Sequence, residues 1–358
     1  MNIVDFQHGI YIYESYNNTI SGNKITGNNG SGLWLSWSSN NTVSGNKIAN
    51  NQQDGIYLWP PSSNNIISGN NITANKGNGI KLESSPNNSI TGNIITNNDE
   101  NGIELYGTCL SNIISGNNIT ANNDDGIRLA SFSSGNIISQ NNIKWHLRYN
   151  GIYPSGIDID HSSNNTLSRN NIANNEIGVY LGYSSNNNTI YGNNIANNGI
   201  IGIWIHHSSN NSISGNNVAN SEWGIRLEYL RELARNSIKG NNITNNNVGI
   251  LLDQSSNNSI YHNNFIDNTE QVSSYQSTNV WDDGVGKGNY WGDYEEKYPD
   301  AEEIDGSGIW DTPYEINADN IDHYPIVPEF PSFLIMPLFM IATLLAAIFL
   351  KRRLFHKS

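Results

Sequence analysis

The chain has 358 residues, a formal net charge of −14 and 14% charged residues, with 33 glycines and frequent asparagine up to residue 320. This composition is unlike the Ala, Leu, Glu and Lys mixture of helical proteins, so we expect little helix in the body. No basic stripe of the kind that neutralises phosphates is present, which excludes nucleic acid as a predicted partner. The single cysteine, Cys109, excludes an intramolecular disulfide and a thiolate metal cluster.

The amino terminus falls inside a repeat. Neither a signal peptide nor a capping segment precedes the first Gly-apolar pair at Gly9, although an exposed sheet end normally needs covering. We therefore expect the natural protein to be longer at this end.

An internal repeat runs through residues 1–270, with most steps of 22–25 residues. It is marked by a glycine followed by an apolar residue at Gly9, Gly32, Gly55, Gly79, Gly102, Gly126, Gly156, Gly178, Gly202, Gly224 and Gly249. A second landmark, from Asn23-Lys24-Ile25 to Asn263-Asn264-Phe265, keeps the same phase. Apolar residues alternate between these landmarks over short stretches, which indicates strands, and the asparagines disfavour helix.

These features predict an all-β fold, a right-handed parallel β-helix of about eleven coils. Apolar side chains point inward, while asparagines occupy left-handed corners and stack in amide ladders.

On the outer face, the residue after each Gly-apolar pair forms one column, and the residue two positions later forms another. Aromatic residues with polar tips offer flat apolar area to sugar rings, and the strand spacing of about 4.8 Å is close to one sugar unit. We predict a polysaccharide-binding face; the alternative is a solvated sheet face whose aromatics favour strands. The predicted ligand-binding residues are Tyr11, Trp34, Tyr57, Trp59, Lys81, Glu104, Tyr106, Tyr180, Trp204 and His206.

Candidate catalytic residues lie in the middle of this face. Asp158 and Asp160 are two apart in one strand, which places their carboxylates about 6 to 7 Å apart on one side, within reach of an inverting glycosidase pair. His161 is adjacent, Arg128 is one coil earlier, and an insertion with His146 and Arg148 precedes them. Solvated acids on a strand are the alternative, and no catalytic signature covers these residues.

The segment 271–326 is predicted to be an acidic capping module, with thirteen acids against two lysines between residues 282 and 322. Oxygen ligands suit calcium, although the EF-hand spacing fails, so a calcium site and a hydrated acidic cap both stay open. The candidate ligands are Asp300, Glu302, Glu303, Asp305 and Asp311.

The carboxy terminus predicts a membrane anchor. Residues 333–350 are long and apolar enough to span a bilayer as a helix. Basic residues follow in the tail, 351–358, so the repeats are predicted to lie outside the cell and the tail in the cytoplasm.

Two parts of the chain resemble known families. The linker 327–333, with the helix and basic tail after it, resembles the PEF-type sorting signal of archaeal surface proteins, which implies processing by an archaeosortase and attachment to membrane lipid. The residues that carry this resemblance are Pro328, Glu329, Phe330, Pro331 and Ser332.

The coils resemble NosD-type and carbohydrate-binding/sugar-hydrolase β-helix repeats. Closing motifs at Gly288–Tyr294, Asp305–Tyr314 and Asp322–Pro325 strengthen the NosD-type resemblance. That family implies copper handling, but copper prefers Cys, Met and clustered His, and we do not transfer copper binding.

We therefore predict a surface-anchored β-helix protein with a structural, adhesive or glycan-binding role at the cell envelope and no required cofactor. A polysaccharide lyase, hydrolase or epimerase acting on the same face is the first alternative, and a copper-handling accessory protein is the second.

Overall fold

The structure is a computed structural model, and it describes residues 1–146, 153–230 and 234–327. Short parallel strands wind into a right-handed solenoid with three sheets, which confirms the predicted fold class. Each repeat contributes one strand to every sheet, because turn residues interrupt its alternating apolar residues about every eight positions.

Within the described residues, sheet I has 13 parallel strands, sheet II has 12 and sheet III has 11. Sheet I comprises Asn2–Ile3, Lys24–Thr26, Lys47–Ala49, Asn71–Thr73, Ile94–Thr96, Asn118–Thr120, Asn142–Lys144, Asn171–Ala173, Asn194–Ala196, Asn217–Ala219, Asn242–Thr244, Asn264–Ile266 and Tyr290–Trp291. Sheet II comprises Ile10–Tyr13, Leu33–Ser36, Ile56–Trp59, Ile80–Glu83, Ile103–Tyr106, Ile127–Ala130, Ser155–Asp160, Ile177–Gly182, Ile201–His206, Trp223–Glu228, Val248–Asp253 and Glu270–Tyr275. Sheet III comprises Thr19–Ser21, Thr42–Ser44, Ile66–Ser68, Ser89–Thr91, Ile113–Ser115, Ile137–Ser139, Thr166–Ser168, Thr189–Tyr191, Ser212–Ser214, Ser237–Lys239 and Ser259–Tyr261.

The solenoid has about twelve turns, one more than the sequence predicted. The additional strand of sheet II, Glu270–Tyr275, pairs with Val248–Asp253 but carries no Gly-apolar pair. The predicted capping module therefore begins inside the last turn of the solenoid.

The core is a stack of aliphatic side chains. In a representative coil, Ile56 and Leu58 of sheet II, Ile67 of sheet III and Ile72 of sheet I have no solvent exposure. Each of these side chains contributes about 1.5 to 3 kcal/mol by burial, so the fold is maintained coil by coil.

The glycine of the Gly-apolar pair has a steric cause. A Cβ atom added at Gly79 would lie 2.6 Å from the carbonyl oxygen of Gly102 and 2.4 Å from Cγ2 of Ile95. Neighbouring coils approach too closely at this column for any side chain.

Buried asparagines form an amide ladder at each of the three corners. In the first ladder, Oδ1 of Asn65 accepts the backbone N–H of Asn41 at 2.9 Å and its Nδ2–H at 3.2 Å. The residue before nearly every ladder asparagine takes left-handed backbone, as Asn40 does with φ of 59°. Thr278 and Gly288, which precede the last asparagines of the first and second ladders, do not. Both predicted roles of asparagine are therefore present, on adjacent residues.

The ladders extend along most of the solenoid. The first contains Asn18, Asn41, Asn65, Asn88, Asn112, Asn136, Asn165, Asn188, Asn211, Asn236, Asn258 and Asn279. The second contains Asn23, Asn46, Asn70, Asn93, Asn117, Asn141, Asn170, Asn193, Asn216, Asn241, Asn263 and Asn289. The third contains Asn28, Asn51, Asn75, Asn98 and Asn122, then His146, Asn175 and Asn198, and later Ser221, Asn246 and Asn268.

A small module closes the carboxy-terminal end. It contains the one-turn helix Tyr294–Lys297 and the antiparallel hairpin Tyr314–Asn317 and Asn320–Asp322. Trp291 stacks between the rings of Phe265 and Tyr314, with ring centroids 4.4 and 4.1 Å away. The module thus covers the last coil, as a cap should.

No helix in the described ranges is long and apolar enough to cross a membrane. The predicted membrane segment, the sorting residues and the basic tail all lie outside those ranges.

Candidate functional site

The outer face of sheet II gathers aromatic side chains in its first three coils. Trp34 lies between Tyr11 and Tyr57 in strand register, with ring centroids 5.0 and 5.9 Å away. Trp59 meets Tyr57 edge-on at 5.7 Å, and His8 meets Trp34 edge-on at 4.7 Å. These five rings form the first aromatic cluster.

A second aromatic cluster lies on the eighth and ninth strands of the same sheet, five and six coils after Tyr57. Trp204 is 5.0 Å from Tyr180 and 5.6 Å from His206 between ring centroids. The indole N–H of Trp204 donates to Glu228 at 3.1 Å, and the Arg226 guanidinium, 5.2 Å from the Trp204 ring, donates to the same carboxylate. The rings are therefore fixed by polar partners.

Charged side chains occupy the coils between the clusters. Nζ of Lys81 lies 3.0 Å from a carboxylate oxygen of Glu104, and the Tyr57 hydroxyl donates to Glu83 at 2.5 Å. Burial, more than any neighbouring charge, raises the pKa of both Asp54 and Glu100 beside this pair.

Asp158 lies at the centre of the face and is only 9% exposed. The alternative of a solvated acid does not hold for Asp158, because Arg128 and Tyr180 occupy the same column on the coils before and after it. Its Oδ1 is buried without a hydrogen-bond partner, and its Oδ2 lies 3.8 Å from Nε of Arg128. The site thus holds a carboxyl group that is shielded from water and has one oxygen without a hydrogen-bond partner.

The protonation of this carboxyl group is set mainly by burial. Burial raises the pKa of Asp158 to about 7, while the Arg128 charge opposes the increase. Burial and the neighbouring Asp158 also raise the pKa of Asp125, whose Oδ1 accepts the backbone N–H of Ser155 at 2.6 Å. Each of these two carboxyl groups therefore disfavours the charged form of the other.

The other predicted catalytic residues adjoin this centre. Nδ1 of His161 lies 2.9 Å from Oδ1 of Asp160, and its ring stacks on Tyr183 at 5.7 Å. His146 does not reach the face, because its fully buried ring occupies an asparagine position of the third ladder. Arg148 lies outside the described residues.

All ten predicted ligand-binding residues occupy outward positions of sheet II. The structure brings seven of them together in the two clusters, while Lys81, Glu104 and Tyr106 lie on the coils between. The sequence prediction missed His8, Asp125 and Glu228, although a third outward column, just before each repeat glycine, could have revealed the first two.

Two of the five acidic cap residues accept hydrogen bonds from the backbone of their own loop. Glu303 accepts the N–H of Gly308 at 2.8 Å, and Asp311 accepts the N–H of Glu302 at 3.1 Å. Over the described ranges, no three His, Cys, Asp or Glu side chains are grouped to hold a metal ion. Calcium stays a prediction, and the described residues do not fit a copper site.

Family comparisons agree with this architecture. Residues 1–143 match the family model described as right handed beta helix region, and residues 123–296 match the model described as periplasmic copper-binding protein (NosD). The chain has the fold of the right-handed parallel β-helix repeat proteins, and the two matches together run over residues 1–296. More particularly, its later coils and the start of its cap are similar to the NosD model. No curated protein matches the chain.

Solved structures share the fold at low identity. The Azotobacter vinelandii mannuronan C-5 epimerase AlgE6 A-module is 15% identical with a TM-score of 0.50, and the alignment covers 76% of this chain and 90% of that one. An alginate lyase from Paenibacillus sp. str. FPU-7 is 16% identical with a TM-score of 0.48, covering 63% and 94%. The Dettilon tailspike protein is 18% identical with a TM-score of 0.48, covering 68% of this chain, which spans 58% of the tailspike chain.

Proposed function

We propose that the protein is a glycan-binding solenoid of the cell envelope, whose outer face of sheet II holds a polysaccharide along the solenoid axis. The observation that carries this proposal is the pair of aromatic clusters in line on one face, centred on Trp34 and Trp204.

The chemistry of the face supports a sugar ligand. Aromatic rings offer flat apolar surface with polar edges, and their repeat of about 4.8 Å per coil suits a chain of pyranose units lying parallel to the axis. Between the clusters, Lys81 and Arg128 offer donors to hydroxyl or carboxylate groups, while Glu104 accepts from hydroxyls. A regular polymer is therefore a better match than a small isolated ligand.

An envelope location accords with the NosD family model, which is described as periplasmic. The predicted sorting motif and membrane segment would anchor the chain with its coils outside, and an archaeosortase would process it. In that setting the solenoid acts as an adhesive or structural element that holds surface polysaccharide.

The test is retention of the full chain on a panel of immobilised neutral and acidic polysaccharides. We expect Trp34→Ala and Trp204→Ala each to weaken retention about tenfold or more. Trp37→Ala is the matched control, because Trp37 is an exposed indole that has left-handed backbone just after the Trp34 strand and lies outside both clusters. No retention by the parent, or equal loss in all three variants, would overturn the proposal.

Acid–base chemistry on the bound glycan is a second candidate function, favoured by Asp158. A carboxyl group with a pKa of about 7 and a free oxygen can accept or donate a proton at neutral pH. A lyase, hydrolase or epimerase would release products or change sugar stereochemistry, and Asp158→Asn would abolish that activity. Asp99→Asn, a surface control, would retain it. If the protein retains glycans but changes none of them chemically, binding is the only function that the experiment supports.

A further inference from the structure

A groove lies at the corner between sheets III and I, on the side of the solenoid away from sheet II. Eight coils have a glycine with positive φ at the same position of this corner, so that the glycines form a column. They are Gly22, Gly45, Gly69, Gly92, Gly116, Gly192, Gly215 and Gly240. Left-handed backbone alone does not explain these glycines, since Gln140 and Arg169 occupy the same column with φ of 58° and 54°. The distinguishing property of glycine here is the absent side chain.

The missing side chains leave open space. No atom lies within 4 Å of the position that a Cβ would take at Gly192 or Gly240. Beside Gly192, Gly215 and Gly240 this space becomes a groove of about 760 Å³, because the adjacent column supplies Tyr191 and Tyr261 as walls. Along the earlier glycines the adjacent residues are serine or threonine.

The walls have a regular spacing along the axis. Tyr191, Ser214, Lys239 and Tyr261 are successive partners in strand register. The two tyrosines are therefore three coil steps, or about 14 Å, apart at the usual strand spacing. That length fits about three sugar units, with the Lys239 ammonium between the two rings.

One end of the groove is bordered by the contact between His262 and Asp283. Nε2 of His262 lies 3.1 Å from Oδ2 of Asp283, and Oδ1 of Asp283 accepts the backbone N–H groups of Val285 and Lys287 at 2.9 and 3.0 Å. The His262 ring meets Tyr261 edge-on at 5.0 Å. Several contacts thus hold His262 and Asp283 in place at this end of the groove.

The charged side chains that line the groove are Lys239 and Asp283, within a protein of net charge −14. Lys239 is exposed in the middle, and Arg169 is exposed one coil before Gly192 at the open end. Asp283 already has partners. We propose that this groove binds an acidic oligosaccharide of about three residues, with the tyrosines against sugar faces and Lys239 on a carboxylate or sulfate. This site is separate from the outer face of sheet II and does not depend on it.

The test is calorimetric titration of the full chain with trigalacturonate and with maltotriose as the neutral match. We expect trigalacturonate to bind at least tenfold more tightly than maltotriose. Tyr261→Ala and Gly215→Gln should each weaken trigalacturonate binding at least tenfold, the second by placing a side chain in the groove.

The matched control is Gly69→Gln, which has the same backbone conformation and open space but lacks the tyrosine walls. It should bind like the parent, and its melting temperature should match that of Gly215→Gln. Absent trigalacturonate binding, or equal affinity in Gly215→Gln and the parent, would overturn the proposal. A loss seen only in Trp34→Ala would assign the ligand to sheet II and also overturn it.

Discussion

Oδ2 of Asp322 accepts the backbone N–H of Asn289 at 2.7 Å, and this bond ends the second amide ladder. The same oxygen accepts the indole N–H of Trp291 at 2.9 Å. Asn320 does the equivalent for the first ladder, because its Oδ1 accepts the N–H of Asn279 at 3.0 Å. One short hairpin therefore supplies acceptors to two corners of the solenoid.

Removing the Asp322 carboxylate should destabilise the cap. In Asp322→Ala the buried donors of Asn289 and Trp291 lose their acceptor, at a cost of about 1 to 3 kcal/mol each. We expect a fall of about 3 kcal/mol or more in the free energy of unfolding, measured with denaturant. Asp319→Ala, in the exposed turn of the same hairpin, should change it by less than about 0.5 kcal/mol. Equal effects would show that the ladder end is energetically unimportant.

His146→Asn should stabilise the protein. Asn122 is followed in its ladder by His146, which has no Oδ1 to accept from it, and burial lowers the pKa of His146 to about 4. An asparagine would restore the amide contact, worth about 1 kcal/mol, and would remove a proton-binding group. The melting temperature should rise, most clearly below pH 5. A lower melting temperature at every pH would contradict this prediction, since it would mean that the imidazole ring packs better than an amide.

Asp158 should make stability depend on pH. Its pKa is about 7 in the folded protein and 3.8 as the ordinary value, so the native state binds the proton more tightly than the unfolded chain. The stability from this group is fully present below about pH 4 and is lost as pH rises through 7. Asp158→Asn should lose less stability between pH 5 and 8, on the order of 2 kcal/mol less than the parent. Parallel pH profiles of parent and variant, with Asp99→Asn as the reference, would contradict the burial of this carboxyl group.

Two glycines should respond very differently to alanine. Gly79→Ala places a methyl group against the Gly102 carbonyl and the Ile95 side chain, so we expect a loss of at least about 3 kcal/mol or failure to fold. Gly69→Ala meets open space and pays only for positive φ, about 1 to 2 kcal/mol. Soluble yield and denaturant unfolding would measure both. Comparable losses would show that backbone conformation outweighs coil-to-coil contact.

The fold was predictable from the sequence because the same two sequence features, the Gly-apolar pair and the Asn pair, recur in each coil. The Gly-apolar pair marks where neighbouring coils approach most closely, and the Asn pair marks each corner. The last turn escaped prediction, since Glu270–Tyr275 has the strand but neither a glycine nor an apolar residue at its start. The closing contacts of Asn320 and Asp322 reach residues 33 to 41 positions earlier and carry no repeat signal.

The sequence predicted which residues of the site share a column on the outer face of sheet II, but it did not predict how buried each of them is. Strand alternation correctly placed Trp34, Tyr57 and Trp204 on one face. It could not tell that Asp158 would be buried between larger side chains, because alternation gives direction and says nothing about the neighbours' sizes. His146 was misplaced for a similar reason: the insertion after it hid its equivalence to the ladder asparagines.

The first and second amide ladders have a direction, because each coil donates to the next one and the hairpin at the end supplies acceptors without extending the column. A coil inserted or deleted between two others would leave each remaining donor facing an equivalent acceptor. The length of this protein can therefore be edited in whole-coil increments by duplication or loss within the gene, while the cap stays unaltered.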